Sequence, residues 1–409
     1  MSDLQVEQRS DLKLPTPSDE AVARSVDTDF EVSVVMPCLN EAETVGLCVE
    51  KAIAALDVNN IRGEVVVVDN GSTDGSPAIA SAAGARVVHQ PLAGYGNAYL
   101  KGFEEARGRY ILMADSDDTY DFSALPRFIE PLRQGYEAVM GNRFQGRILP
   151  GAMPWLHRYI GNPLLSGVLN VFFKTGIGDA HCGMRAFTQE AYRAMRLQTG
   201  GMEFASEMVI NAAKAGLNMT EVPITYYPRK GESKLESFRD GWRHLRFMLL
   251  YSPTHLFLWP GAVLMAIGLP AVLVLAFGPI EVLSVSFGIH WMFVASLLAI
   301  LGFQVINLGF FARVFSLSSH IDRSEDAVVH FFTRAFRMEH GILVGVVMFA
   351  LGMINFITVL FMKLRGDLFI LNSMRLSIVA LTFTVLGAQA IFASFFVSMM
   401  VVKRHGWGR

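Results

Sequence analysis

The sequence predicts a two-part protein: an α/β domain on a mostly parallel sheet, then an α-helical membrane domain with four transmembrane helices. Three observations predict it. Short apolar runs alternate with helical patterns up to about Leu249, the signature of strands joined by helical crossovers. Beyond Thr254 come four apolar stretches, each meeting the roughly 20 residues that a bilayer crossing needs. Between Arg109 and Asp118 an apolar run ends in two carboxylates, Asp115 and Asp117, at the kind of strand end where an open α/β sheet places its ligands.

Residues 1–30 are polar, of mixed charge and without the apolar stretch of a secretory signal, which predicts a disordered tail. Glu31 to Met36 reads as the first strand, followed by the loop Pro37-Cys-Leu-Asn40-Glu41 and a helix to about Leu56. Glu64 to Asp69 is a second strand, apolar throughout its middle, and Asn70 to Gly75 a turn in which Asp74 suits an N-cap. Ala85 to His89 is a third strand. Gly94-Tyr95-Gly96-Asn97 then opens a helix to about Arg107. It lacks the third glycine of a dinucleotide fingerprint, and reads either as a tight helix start near a nucleotide or as a plain structural turn. Tyr110 to Ala114 is the fourth strand, a helix starts near Ser123, and Glu137 to Gly141 is the fifth strand.

The turns after strands one, two and four fall on one sheet edge, which gathers Pro37, Glu41, Asp69, Asp115 and Asp117. A nucleotide needs such parts: a backbone turn, a carboxylate for base or ribose, and paired carboxylates for a hard divalent cation on its diphosphate. The plainer reading of Asp115-Ser-Asp-Asp is a capped turn.

Composition narrows the classes. The chain has 409 residues, 52% of them hydrophobic, and a mean hydropathy of +0.36. A net charge of −2 gives no bulk basicity for nucleic acid, so none is expected as a partner. The three cysteines, Cys38, Cys48 and Cys182, form neither a disulfide framework nor zinc-ligand spacing, and a reducing, cytosolic face is the simple inference.

The spans are expected at 254–277, 288–313, 341–362 and 374–402, within a membrane domain over 254–403. The 278–287 loop has no Lys or Arg, whereas 314–340 carries Arg323, Arg334 and Arg337, and the 404–409 tail follows Lys403 with Arg404 and Arg409. The positive-inside rule therefore places the α/β domain and both termini in the cytoplasm. Within the spans the polar residues Gln304, Asn307, Asn355 and Gln389 are uncharged, so the charged relay of many pumps is missing and an anchor or lipid-facing platform is favoured. Residues 235–253 read as an interfacial amphipathic helix, with Arg239, Arg243 and Arg246 toward headgroups and Trp242, Phe247 and Leu249 sinking.

The stretch from about 31 to 252 resembles family 2 glycosyltransferases of the polyprenyl-phosphate sugar synthase group, the dolichyl- and undecaprenyl-phosphate mannose and glucose synthases. The resemblance is carried by Pro37-x-x-Asn40-Glu41, Val-Val-Asp69-Asn-Gly-Ser-Thr-Asp74-Gly, Gly94-Tyr-Gly-Asn-Ala, Asp115-Ser116-Asp117, Gly141-Asn-Arg143, Asp179-x-x-Cys-Gly-Met-Arg185, Glu221-Val-Pro-Ile and Arg229-x-Gly-Glu-Ser233-Lys234. It implies a GT-A nucleotide-sugar-binding domain over 31–234 and an inverting, Mg²⁺- or Mn²⁺-dependent transfer. The implied donor is a nucleotide sugar (UDP-glucose first, GDP-mannose next) and the acceptor a polyprenyl phosphate lipid in the membrane. Asp115 and Asp117 would hold the metal. Pro37, Asn40, Glu41, Asp69, Asp115 and Ser116 would line the nucleotide site, while Arg143 and Arg158 match positions that grip the acceptor phosphate. Arg229 and Lys234 lie in a loop that would close over the nucleotide, and Glu207 and Ser233 are candidate acceptor or sugar contacts. Asp179 is expected to pair with Arg185. The chain departs from the family in having Asp69-Asn70 for Asp-Asp, and Asp118 and Thr119 where many members have Leu-Gln. A Thr119 oxygen or water is left to complete the metal shell. Two other readings compete: a glycolipid flippase or scaffold with a degenerate domain, and a processive polysaccharide synthase, whose Gln-x-x-Arg-Trp element is missing here.

Overall fold

The computed structural model describes residues 30–230, 237–252, 254–282, 285–318, 338–366 and 370–402. The chain divides into two compact units, one ending near Asp240 and the other running from Gly241 and including Val168–Lys174.

The first unit is built on a seven-stranded sheet, in the order β3-β2-β1-β4-β6-β5-β7. The strands are β1 (Val32–Cys38), β2 (Gly63–Asp69), β3 (Arg86–His89), β4 (Tyr110–Met113), β5 (Ala138–Ile148), β6 (Arg185–Thr188) and β7 (Met219–Tyr226). β1 to β4 run parallel. β6 is antiparallel to both β4 and β5, and β7 is parallel to β5. The result is the mostly parallel GT-A sheet. β6 and β7 extend it beyond the five strands that the sequence pattern gives.

The parallel half follows from local chemistry. Val65 to Val68 are buried together, as a strand covered on both faces requires. The crossovers are α1 (Val45–Val58), α2 (Ser76–Ala82) and α3 (Tyr95–Glu105). A Cβ on Gly102 would lie 2.4 Å from Val35 Cγ1 and 2.8 Å from Val68 Cγ2, so α3 lies directly on β1 and β2. The core beneath α1 and α4 (Leu125–Arg133) gathers Met36, Cys48, Leu112, Phe122 and Phe128. α5 (Asn162–Phe173), α6 (Gln189–Met195) and α7 (Phe204–Lys214) complete the helices before β7. Cys38 is in register with Asp69, and Val35 with Met113, so the ends of β1, β2 and β4 share one edge. Residues 154–164 expose Trp155 (66%), Tyr159 (59%), Ile160 and Leu164.

The second unit contains most of α8 (Ser237–Tyr251) and four long helices, α9 (Trp259–Ala276), α10 (Ile289–Ser318), α11 (Met338–Leu364) and α12 (Ile370–Val402). Each is long and apolar enough to cross a membrane, over Thr254–Ala276, Ile289–Val314, Glu339–Leu364 and Ser373–Met400. Glycines let the backbones meet. A Cβ on Gly268 would fall 2.4 Å from Ala299 N, and one on Gly387 2.4 Å from Phe349 N, the close approach that small residues permit between membrane helices. Ser296 and Thr382 hydroxyls, 2.7 Å apart, join α10 to α12. The 278–287 loop, which has no Lys or Arg, contains a short hairpin, β8 (Ile280–Val282) and β9 (Val285–Phe287).

Candidate active site

The turns after β1 and β2 are sewn together. Asn40, with a left-handed backbone (φ 53°), accepts from Thr73 N at 2.8 Å, while its own N–H donates to Ser72 Oγ. Glu41 N donates to Ser76 Oγ and Ala42 N to Asp74 Oδ2. The N-cap of α2 is Gly75 rather than the expected Asp74, whose carboxylate instead bridges Ser76 and the β1 turn. Asp69 accepts from Ser72 N at 3.0 Å and faces His89 Nδ1 at 3.2 Å. Burial pushes its pKa up, but the hydrogen bonds from Ser72, His89 and Gly71 outweigh burial and hold it below the usual value, so Asp69 stays ionised.

The segment after β4 supplies three carboxylates with different surroundings. Asp115 accepts two hydroxyls on one oxygen, Tyr95 at 3.0 Å and Tyr99 at 3.1 Å, both on Oδ1. Burial and the neighbouring Asp117 raise its pKa to about 6 against the pull of the tyrosines and Arg229. Asp117 Oδ1 accepts from Thr119 N and, at 2.6 Å, Thr119 Oγ1. Its Oδ2 lies 3.2 Å from Arg229 Nη1. Arg229 also donates to Glu41 at 2.5 Å, so one guanidinium bridges the β1 turn and the β4 turn. Asp118, left-handed at φ 61°, holds Lys51 Nζ at 2.5 Å and Lys230 Nζ at 2.6 Å. Burial pushes its pKa up, but the two lysines outweigh burial and keep it low.

Several expected site residues are committed elsewhere. Ser116 is buried and donates to Pro37 O at 2.6 Å, tying the turn after β4 to the end of β1. Arg143 is buried against Asp179 through Nε (2.7 Å) and Nη2 (2.8 Å), and its main-chain N donates to the same carboxylate. Burial opposes its charge, but Asp179 overcomes this and holds the guanidinium pKa well above normal. Asp179 therefore pairs with Arg143 and not with Arg185. Arg185 instead donates to the carbonyls of Ala180, Cys182 and Ala205. Glu207 is buried, and its two oxygens accept from Gln198 N, Thr199 N and Thr199 Oγ1 at 3.0, 2.9 and 2.6 Å. That fixes a loop in place of contacting an open face. Arg158 stands apart on the exposed 154–164 segment, 5.4 Å from the Tyr159 ring centroid. Ser233 and Lys234 lie outside the described residues. The pattern reading missed Lys51, Lys230, Tyr95 and Tyr99. Lys230 adjoins Arg229 and was the most findable, whereas Lys51 sits mid-helix with no local signal.

Among the described residues no group of three or more His, Cys, Asp or Glu is arranged to hold a metal. Asp115 and Asp117 offer two carboxylates, the number a Mg²⁺-type ion takes when phosphate oxygens and water complete its shell. The donor set thus fits a cation shared with a diphosphate. Thr119 spends its hydroxyl proton on Asp117.

Comparison with known proteins gives the family. The model of "Glycosyl transferase family 2" matches residues 33–196 and that of the "Glycosyltransferase family 2 C-terminal transmembrane region" residues 310–401. The low-salt glycan biosynthesis hexosyltransferase Agl6 of Haloferax volcanii is 43% identical over 94% of this chain and 92% of its own length. The dolichyl-phosphate hexose transferase of the same organism is 35% identical over 52% of this chain and 89% of its own. Glucosyl-3-phosphoglycerate synthase from Mycobacterium tuberculosis, solved with Mn²⁺, UDP and glucosyl-3-phosphoglycerate, aligns over 56% of this chain and 81% of that one, at 20% identity and a TM-score of 0.46. With a relative this similar from end to end and both family models seated on the two parts of the chain, the protein is a membrane-embedded member of glycosyltransferase family 2.

Proposed function

We propose that the protein transfers a hexose, with inversion, from a nucleotide sugar to a polyprenyl monophosphate at the cytoplasmic membrane face. UDP-glucose is the preferred donor and GDP-mannose the next. Both Haloferax relatives are named as hexose transferases, one of them as a dolichyl-phosphate hexose transferase. The observation that carries the lipid acceptor is Arg158, a cation on a segment that exposes Trp155, Tyr159 and Ile160. A phosphate joined to a hydrocarbon chain matches that pairing of charge and apolar surface. The glucose preference rests on Asp115-Ser-Asp-Asp-Thr-Tyr120, which resembles the glucose-type synthases.

The acceptor phosphate, with a second pKa around 6, is already nucleophilic near neutral pH. Its oxygen attacks the anomeric carbon, the bond from that carbon to the diphosphate breaks, and the nucleoside diphosphate leaves with the electron pair. No general base is required, in keeping with a Glu207 already occupied by backbone N–H groups. The difficulty is bringing one anion to another, and fixed cations relieve it. Arg158 receives the acceptor, while Arg229, with Lys230 and Lys234, meets the diphosphate. Asp69 contacts base or ribose from the turn that Asn40 and Glu41 brace. A Mg²⁺ or Mn²⁺ on Asp115 and Asp117 would neutralise the leaving diphosphate. Arg143 shapes the site through Asp179. Changing Asp117 to Asn should abolish transfer and leave membrane insertion intact. Full activity in that variant would remove the paired carboxylates from the reaction.

A further inference from the structure

Two sequence motifs have no role in the chemistry above: Gly94-Tyr-Gly-Asn-Ala and the Cys182-Gly-Met segment. Both converge on Asp115. We infer that Tyr95, Tyr99 and Gly183 form a cradle that fixes the orientation of the Asp115 carboxylate, so that the two tyrosines are positioning residues for the cation–diphosphate site. The inference rests on the proposed function and adds to it the parts that aim one of its carboxylates.

The tyrosines are spaced i, i+4 and so share a face of α3. Both hydroxyls end on the same oxygen, Oδ1, at 3.0 and 3.1 Å, and two donors on one oxygen fix the twist of the carboxylate. The other oxygen is constrained from the opposite side. A Cβ on Gly183 would lie 2.7 Å from Asp115 Oδ2, and Gly183 N is itself held by Tyr120 Oη at 2.7 Å. Only a residue without a side chain lets the carboxylate lie where the tyrosines put it.

The cradle has a seat. Gly94, at φ 142°, and Gly96 lie against the 199–200 backbone: a Cβ on either would fall 2.2 Å from Gly200 O or 2.1 Å from Thr199 O, respectively. Asn97 N donates to Gly200 O at 3.2 Å. Glu207 in turn fixes that loop from below with its three hydrogen bonds. Tyr99 is fully buried, stacked on Phe204 at 5.8 Å and set edge-on to Tyr95 at 5.0 Å. The rings are therefore held by packing, and the hydroxyls are free to act as fixed donors. Partners that orient a metal ligand typically change metal affinity by about 10–100-fold when removed.

The test uses the full-length protein in detergent. Mn²⁺ binding in the presence of UDP is followed by the electron paramagnetic resonance signal of free Mn²⁺, for the wild type, Tyr95→Phe, Tyr99→Phe and the double variant. Phenylalanine keeps the packing and removes only the hydroxyl. The double variant should bind Mn²⁺ at least about tenfold more weakly, and excess Mn²⁺ should restore its transfer rate. Gly183→Ala, which crowds the other oxygen, should weaken binding in the same sense and keeps the test open if the double variant does not fold. Unchanged Mn²⁺ affinity in folded variants would overturn the cradle alone. A wild type that binds neither Mn²⁺ nor UDP would overturn the function on which it rests.

Discussion

Replacing Asp179 with Asn should damage folding, because Arg143 would be left charged and buried. Both side chains are almost wholly enclosed, and Asp179 receives three N–H groups from Arg143 alone at 2.7 to 3.0 Å. Removing one partner of a buried ion pair costs about 3–5 kcal/mol. A domain of this size loses roughly 2–4 °C of melting temperature per kcal/mol, which predicts a fall on the order of 6–20 °C. Differential scanning calorimetry in detergent reads it. Arg143→Met should fall by a similar amount. The double variant Arg143→Met/Asp179→Leu should recover much of the loss, since apolar replacement of a buried pair is often nearly neutral. The result that would refute this is an Arg143→Met protein that melts normally yet loses acceptor use. That would return Arg143 to the acceptor-gripping role that the family resemblance implies.

Three further outcomes follow from the same geometry. Asp118→Asn should free Lys51 and Lys230 and speed tryptic cleavage after Lys230. The stability cost should be modest, because the lysine side chains are 42% and 58% exposed; unaltered cleavage would deny that Asp118 holds Lys230. Arg158→Ala should raise the acceptor KM several-fold while the donor KM holds, and equal values in both proteins would take Arg158 out of the site. Mn²⁺-dependent UDP binding should weaken below pH about 6, where Asp115 takes up a proton. The sign for folding is opposite: a carboxyl raised from 3.8 stabilises the fold below that pH, and this contribution is lost as pH rises through about 6. A flat binding profile from pH 7.5 to 5 would contradict the assignment.

The parts of this molecule legible in its sequence are those governed by local pattern. The valine run of β2, the carboxylates ending β4 and the apolar lengths of α9 to α12 each carry their own periodicity or length signal. What stayed hidden depends on partners far apart in sequence. Asp179 and Arg185 are close in the chain, yet Arg143, 36 residues away, takes the carboxylate because β5 and β6 are neighbours in the sheet. Lys51 and Asp118 are 67 residues apart and meet only once α1 packs beside the β4 turn. β6 and β7 were missed for a related reason. β6 is four residues long, and β7, Met219–Tyr226, alternates only partly between buried and half-buried positions. Glu207 looks like a free carboxylate on a helix until the backbone N–H groups that occupy it are known.

Sugar transfer from donor to lipid tests the central claim most directly. Purified protein with Mg²⁺ or Mn²⁺ and polyprenyl phosphate is supplied with radiolabelled UDP-glucose, GDP-mannose or UDP-N-acetylglucosamine in turn. The account predicts label entering the lipid phase, fastest from UDP-glucose, and none with Asp117→Asn. Label that stays in the aqueous phase with every donor, in folded and metal-supplied protein, would contradict it.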